Sequence, residues 1–349
     1  MNRRRVLLGA GIGLSAAIAG CFDYFETESV WSGAPLVEDR PDAVYLPAST
    51  EEMGTYGTQG LTDGAQCSLH FTFPHRFWTV TGSTKTRVEV TESDSMHLMV
   101  SVWDPETGIV LPRQPAGTLL DDGEPVEHYQ LWSMLAQQMG YHFGNNVSLP
   151  GEGEYQVRVD LDPIGVRTAG AFDGRYQQAE SATFEIDFQS SDVLDLSIDE
   201  IPEDRRGTRA ATEPMTGMGP PPGQVPLADD LPGTPLGSAT SADASIVGRL
   251  LDAPPDGIDG DGEYLAVSLR TPYNRIALAS SSLSARIRSS TIDLVETIDD
   301  GLGHHYGAVL ADPLQGAPRI EFGAPPQLAR HDGYETAFFD MPSVELDAP

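Results

Sequence analysis

Eight histidines and nine methionines are the residues of this chain best suited to chemistry, and several of them cluster. Leu69-His70-Phe71-Thr72-Phe73-Pro74-His75-Arg76-Phe77-Trp78 carries two histidines in one short run. Met134 and Met139 stand just upstream of His142, within Met139-Gly140-Tyr141-His142-Phe143-Gly144. The second half of the chain adds His304, His305 and His331. Neutral imidazole and thioether together suit Cu(I) and also bind Fe(II). A lone histidine is more often a surface or core residue, and His142 could simply hydrogen-bond a turn and fix its loop. Clustering with methionine points instead to metal binding.

Other motifs carry less. Cys67-Ser68-Leu69-His70 would begin a blue-copper ligand set, with Cys67 as the thiolate, if a second histidine and a methionine converged on it. Asp259-Gly260-Asp261-Gly262-Glu263 has the acid spacing of a calcium loop but none of the flanking helices, which favours a tight turn. Asn146-Val147-Ser148 is a glycosylation sequon. No nucleophile elbow, paired-carboxylate motif or phosphate loop is present, so the chain reads as a binding protein rather than an enzyme.

The elements that must position these residues are strands. Arg87-Val88-Glu89-Val90, Tyr155-Gln156-Val157-Arg158-Val159-Asp160-Leu161 and Thr183-Phe184-Glu185-Ile186-Asp187-Phe188 alternate apolar and polar residues, the period of a half-buried strand. Turn residues separate them, as in Asp104-Pro105-Glu106-Thr107-Gly108 and Pro150-Gly151-Glu152-Gly153. Only Tyr129 to Met139 could hold a short helix. This texture predicts an all-β fold of β-sandwich domains. The boundaries fall at 37–190 for the first sandwich, 191–240 for a Pro/Gly-rich linker or crossing segment, and 241–347 for the second sandwich. His97-Leu98-Met99-Val100-Ser101-Val102 resembles Tyr264-Leu265-Ala266-Val267-Ser268-Leu269, and Gly140-Tyr141-His142-Phe143-Gly144 resembles Gly303-His304-His305-Tyr306-Gly307. The matched order suggests a duplicated domain.

Residues 1–20 read as an address. Arg3, Arg4 and Arg5 precede an uncharged apolar run that ends Ile18-Ala19-Gly20-Cys21. That run is short for a bilayer span, which needs about 20 apolar residues. It looks like a twin-arginine export signal followed by a lipobox, with Cys21 lipidated and 21–36 forming a tether on the outer face of the membrane. Cys67 is then the one cysteine left, so no internal disulfide is expected. With 21 basic and 52 acidic residues the net charge is −31. Such a chain repels nucleic acid, which is excluded as a partner. Its acidity, and its single lysine at Lys85, resemble those of halophilic archaeal proteins. In molar salt the charges are screened within about 3 Å.

Three stretches resemble the periplasmic iron-transport protein family. They are Ala43-Val44-Tyr45-Leu46-Pro47 with Met53-Gly54, then Met139-Gly140-Tyr141-His142-Phe143-Gly144-Asn145-Asn146-Val147, then Gly153-Glu154-Tyr155-Gln156-Val157. The resemblance covers most of 41–190 and, weakly, the second half. It implies an immunoglobulin-like sandwich, binding of Fe(II) or copper, dimers with metal near the interface, and a membrane iron permease as partner. It also implies a His-x-Glu pair near Leu69 to His75 and a late Arg-His pair. Here the glutamate is missing. The first half has Gly174-Arg175-Tyr176 in place of the late pair, and the second half keeps Arg330-His331.

These readings predict two immunoglobulin-like sandwiches packed as a pseudo-dimer within the chain, or a homodimer. Metal would sit in the first half on His75, His142 and Met139, with Met134 or His70 filling a position. His305 and His331 would form a degenerate second site or be lent across the interface. A metal-free surface module and a copper electron-transfer protein are the alternatives.

Overall fold

The computed structural model describes residues 35–215 and 219–349. Cys21, the export signal and most of the tether lie outside the described residues.

Alternation builds the first sandwich. In Gly153–Leu161, Tyr155, Val157, Val159 and Leu161 are buried while the residues between them are partly exposed, as on a strand with one wet face. Glu180–Phe188 repeats the pattern. With Pro115–Asp121 and Glu124–Gln130 they form a four-stranded antiparallel sheet. Facing it is a sheet ordered Gly54–Gly60, Gln66–Thr72, Met96–Trp103, Gly140–Val147, Trp132–Ala136. Leu119, Val157, Val159, Phe184 and Ile186 meet Cys67, Leu69, Val100, Val102 and Phe143 in one core. Trp132–Ala136 is therefore a strand, where sequence alone allowed a short helix. The turn at Gly140 folds it back onto Gly140–Val147, and that pairing overrides helical propensity.

The second half's sheet runs Thr234–Ser241, Ala244–Leu251, Tyr264–Arg270, Gly303–Val309, Ser290–Asp299, Ser282–Ile287, Arg319–Ala324, Val344–Glu345, with these strands antiparallel. Ser290–Asp299 turns a corner, pairing first with Ser282–Ile287 and then with Gly303–Val309. The chain end returns to the start, Asp347 N–H donating to Leu236 O at 2.9 Å, so the sheet nearly closes. The protein is all-β. No helix among the described residues is long and apolar enough to cross a membrane.

The halves exchange strands. Ala329–Arg330, from the second half, lies parallel to Trp132–Ala136 with Ala329 opposite Met134, and continues the first sheet to Phe77–Thr81 and Thr84–Val88. Arg167–Thr168, from the first half, lies parallel to Ser290–Asp299 with Arg167 opposite Thr297. The Pro/Gly-rich stretch is tied down at both sides. Gly207 N–H donates to Leu46 O (2.9 Å), Met215 N–H to Gln138 O (2.9 Å), and Pro222 O accepts from Tyr141 N–H (3.1 Å). Beyond it, Ala277 N–H donates to Gly223 O at 3.0 Å.

Candidate metal centre

Successive residues of a strand point to opposite faces. In the first half's sheet, Cys67, Leu69, Met96, Leu98, Tyr141 and Phe143 face the sandwich core. The intervening residues share the outer face, and their register places His142 opposite Met134, Met99 opposite Gly144 and opposite His70, and His97 opposite Asn146 and opposite Thr72. This outer face is also buried: His70, His97 and His142 are 3%, 0% and 0% exposed. Two further histidines close over it. His75 arrives on the loop after Gln66–Thr72. His331 arrives from the other half, directly after the exchanged Ala329–Arg330, its N–H donating to Leu135 O at 3.1 Å.

The rings crowd together. Centroids are 4.1 Å apart for His75 and His97, 4.7 Å for His75 and His331, and 5.3 Å for His142 and His331. Nitrogens of His75, His97 and His331 all lie within 4.8 Å of one another. Three nitrogens bound to one ion stand roughly 3–3.5 Å apart, given metal–nitrogen bonds of about 2.1 Å. Small side-chain rotations would close that gap.

Three rings are oriented by an acceptor on Nδ1. Glu51 holds His75 at 3.0 Å, the Asn146 side-chain oxygen holds His97 at 2.8 Å, and the Gly140 carbonyl holds His142 at 3.1 Å. In His97 and His142 the proton therefore sits on Nδ1 and Nε2 carries the lone pair. The Nε2 atoms of His75, His97, His142 and His331 are buried without a hydrogen-bond partner. Leaving such an atom unpaired costs about 1–3 kcal/mol, and a cation would satisfy several at once. A histidine ligand held by an outer acceptor is the usual arrangement of a metal site. Burial pushes His70 and His142 down to about 4. Burial, reinforced by neighbouring imidazoles, pushes His97 and His331 well below the ordinary imidazole range. All four are neutral at pH 7, the state that ligates.

Glycine makes the room. A Cβ at Gly144 would stand 2.8 Å from His97 Nε2 and 3.1 Å from Met134 Sδ. Gly140, at φ 75°, would put a Cβ 1.8 Å from the Pro222 oxygen.

Of the residues expected as ligands, His75, His142 and His331 come together, with His70 on the same face. Met134 shares that face too, its Sδ and His97 Nε2 both bordering the space beside Gly144, and it packs with Phe77 and Ala329. Met139 lines a cavity beside His142. His305 is elsewhere, on Gly303–Val309, its Nε2 accepting from the Tyr264 hydroxyl at 3.0 Å. His97, read only as part of a strand, is brought into the cluster; its alternation with Met99 on a strand was the available signal. Cys67 faces the core on the opposite side of the sheet and burial raises its thiol to about 12, so no blue-copper set forms around it. The sequon lies on the strand that carries His142. The Asn146 amide donates to His75 O at 2.9 Å. In the calcium-like loop, Glu263 accepts from Leu314 N–H.

A family described as a domain of unknown function, DUF7350, matches residues 229–347. No curated protein matches the chain. Among solved structures, a copper-bound variant of FetP from uropathogenic Escherichia coli strain F11 is similar at 17% identity, over 39% of this chain and 97% of that one, with a TM-score of 0.31. The copper-reconstituted P19 protein of Campylobacter jejuni is similar at 13% identity, over 40% of this chain and 97% of that one, also with a TM-score of 0.31.

Proposed function

We propose that this chain binds a transition-metal ion outside the cell and serves a membrane iron permease, carrying Fe(II) or copper as cargo. The observation that carries the reading is the pair of buried, neutral imidazoles of His97 and His142, whose Nε2 lone pairs lack partners while Nδ1 is held from behind. The permease and the immunoglobulin-like fold come from the resemblance of Met139 to Val147 and of Arg330-His331 to the periplasmic iron-transport family. The outer-face location comes from the lipobox-like segment ending at Cys21. Equal strand registers in the two halves support a duplicated unit packed as a pseudo-dimer, with His331 lent across it.

Metal analysis of the purified chain tests this. Stoichiometric Co(II) or Cu uptake that His97→Ala and His142→Ala both reduce is the expected result. Absence of binding at micromolar metal would instead support a surface module whose histidines are structural.

A further inference from the structure

Beside the imidazole cluster lies a cavity of about 360 Å³ whose lining includes His331 and the fully buried His142. Met53, Met99, Met139 and Met215 line it, four of the chain's nine methionines. Methionine usually fills cores, and Met96 and Met134 do so here, each within a hydrophobic cluster. The four cavity methionines belong to none of those clusters, although Met99 and Met139 are only 4% and 6% exposed. Separate segments deliver them. Met53 follows Ser49–Glu51, Met99 rises from the sheet below, and Met139 precedes the Gly140 turn. Met215 is pinned beside Met139 by its N–H donating to Gln138 O at 2.9 Å.

The cavity also has carboxylates, but they are engaged. Glu51 holds His75 (3.0 Å), and Glu52 accepts from Ser197 N–H (2.9 Å) and hydroxyl (2.8 Å). Glu89 pairs with Arg87 (2.8 Å) and Asp332 with Arg76 (3.2 Å). The four thioethers are the soft sulfur donors of this lining, beside the unpartnered Nε2 atoms of His142 and His331 and the Thr212 hydroxyl. Thioether sulfur is soft and uncharged, selecting Cu(I) over Fe(II), Mg²⁺ or Ca²⁺.

We propose that Met53, Met99, Met139 and Met215 form a second site, for a soft monovalent cation of the Cu(I) class, from which metal passes inward to the histidines. This rests on the metal reading above and adds to it an outer position and a preferred oxidation state.

Ag(I), a redox-silent stand-in for Cu(I), tests the site in the full chain. The background is Cys67→Ser, which removes the one competing buried thiol. Co(II) first fills the imidazole cluster, and Ag(I) is then titrated. Met53→Leu/Met215→Leu keeps side-chain volume, and its Co(II) uptake reports that it is folded. Ag(I) affinity is expected to fall at least about tenfold in the double variant while Co(II) affinity holds. Equal Ag(I) affinity in variant and parent overturns the proposal and leaves the imidazole reading standing. Failure of the parent to take up Co(II) overturns the metal reading and this inference with it. If the double variant does not fold, Met53→Leu and Met215→Leu singly give the same reading.

Discussion

The strand openings Gly140–Gly144 and Gly303–Gly307 are built alike and end differently. Each opens on a glycine in the left-handed region, at φ 75° and 68°. Each places a buried histidine whose Nδ1–H donates to that glycine's carbonyl, at 3.1 Å and 3.0 Å. In each, the second glycine yields space to a residue of the neighbouring strand, His97 in one and Tyr264 in the other. The registers agree as well: His97 pairs with Asn146 and Tyr264 with Val309. Likewise His142 pairs with Met134 and His305 with Thr297. The exchanged segments then lay Ala329 on Met134 and Arg167 on Thr297, so that Ala169 takes the place that His331 holds in the other half.

The chemistry diverges at these substitutions. In the second half the Tyr264 hydroxyl donates to His305 Nε2 and accepts from Arg167 at 2.9 Å. Arg167 also donates to Thr297 Oγ1 and Gly307 O, both at 3.0 Å. Every polar atom named there is satisfied. In the first half histidine replaces tyrosine, a second histidine replaces alanine, and lone pairs are left facing inward. One backbone frame therefore gives a sealed hydrogen-bond network or a cluster of imidazoles with unpartnered nitrogens, according to what its neighbours contribute.

The comparison breaks hardest at the glycines. Gly140→Ala meets both a positive φ and the Pro222 carbonyl, and should cost about 3 kcal/mol of stability. Gly303→Ala should act in the same direction, against Pro226. Denaturant midpoints check both, and wild-type midpoints would show that the strand openings are not the shared frame. Next in size, His142→Ala should weaken metal binding at least tenfold, about 1.4 kcal/mol. His305→Ala should leave metal affinity unchanged and lower only stability, because it strands the Tyr264 hydroxyl. Isothermal titration separates the two effects, and equal metal loss in both variants would erase the distinction.

Mild acid is the gentlest perturbation. His70 and His142 fall from 6.5 to about 4 on folding, and His305 to about 3, all chiefly through burial. The unfolded chain then binds more protons than the folded one below pH 6.5. These groups' stabilisation is complete above that pH and is lost as pH falls toward 4. Melting of metal-free protein at pH 7 and pH 5 should show the drop, and Co(II) should widen it because metal also needs the unprotonated ring. Identical melting at both pH values would mean the rings are not buried as neutral groups.

Much of the fold was legible. The period-two runs at Tyr155–Leu161 and Thr183–Phe188 are strands, and the Gly-x-His-aromatic-Gly motif marks the matching strand openings of the two halves. The site was legible only in part. His75, His142 and His331 could be named from type and spacing, but their meeting depends on Ala329 pairing with Met134, a register far apart in sequence that no local pattern encodes. His97 was hidden because an alternating strand says which residues share a face, not that the face is covered. His305 shows the converse: its motif is the same as that of His142, but the Tyr264 hydroxyl takes up its Nε2 and Ala169 stands where His331 stands in the other half.

The central claim is that one metal site in the first half is completed by a histidine from the second. Co(II) titration of His331→Ala beside His305→Ala, followed by the visible absorption of the bound ion, tests it most directly. The expected result is affinity reduced at least about tenfold, with an altered spectrum, for His331→Ala, and wild-type behaviour for His305→Ala. Full affinity and an unchanged spectrum in His331→Ala would contradict it.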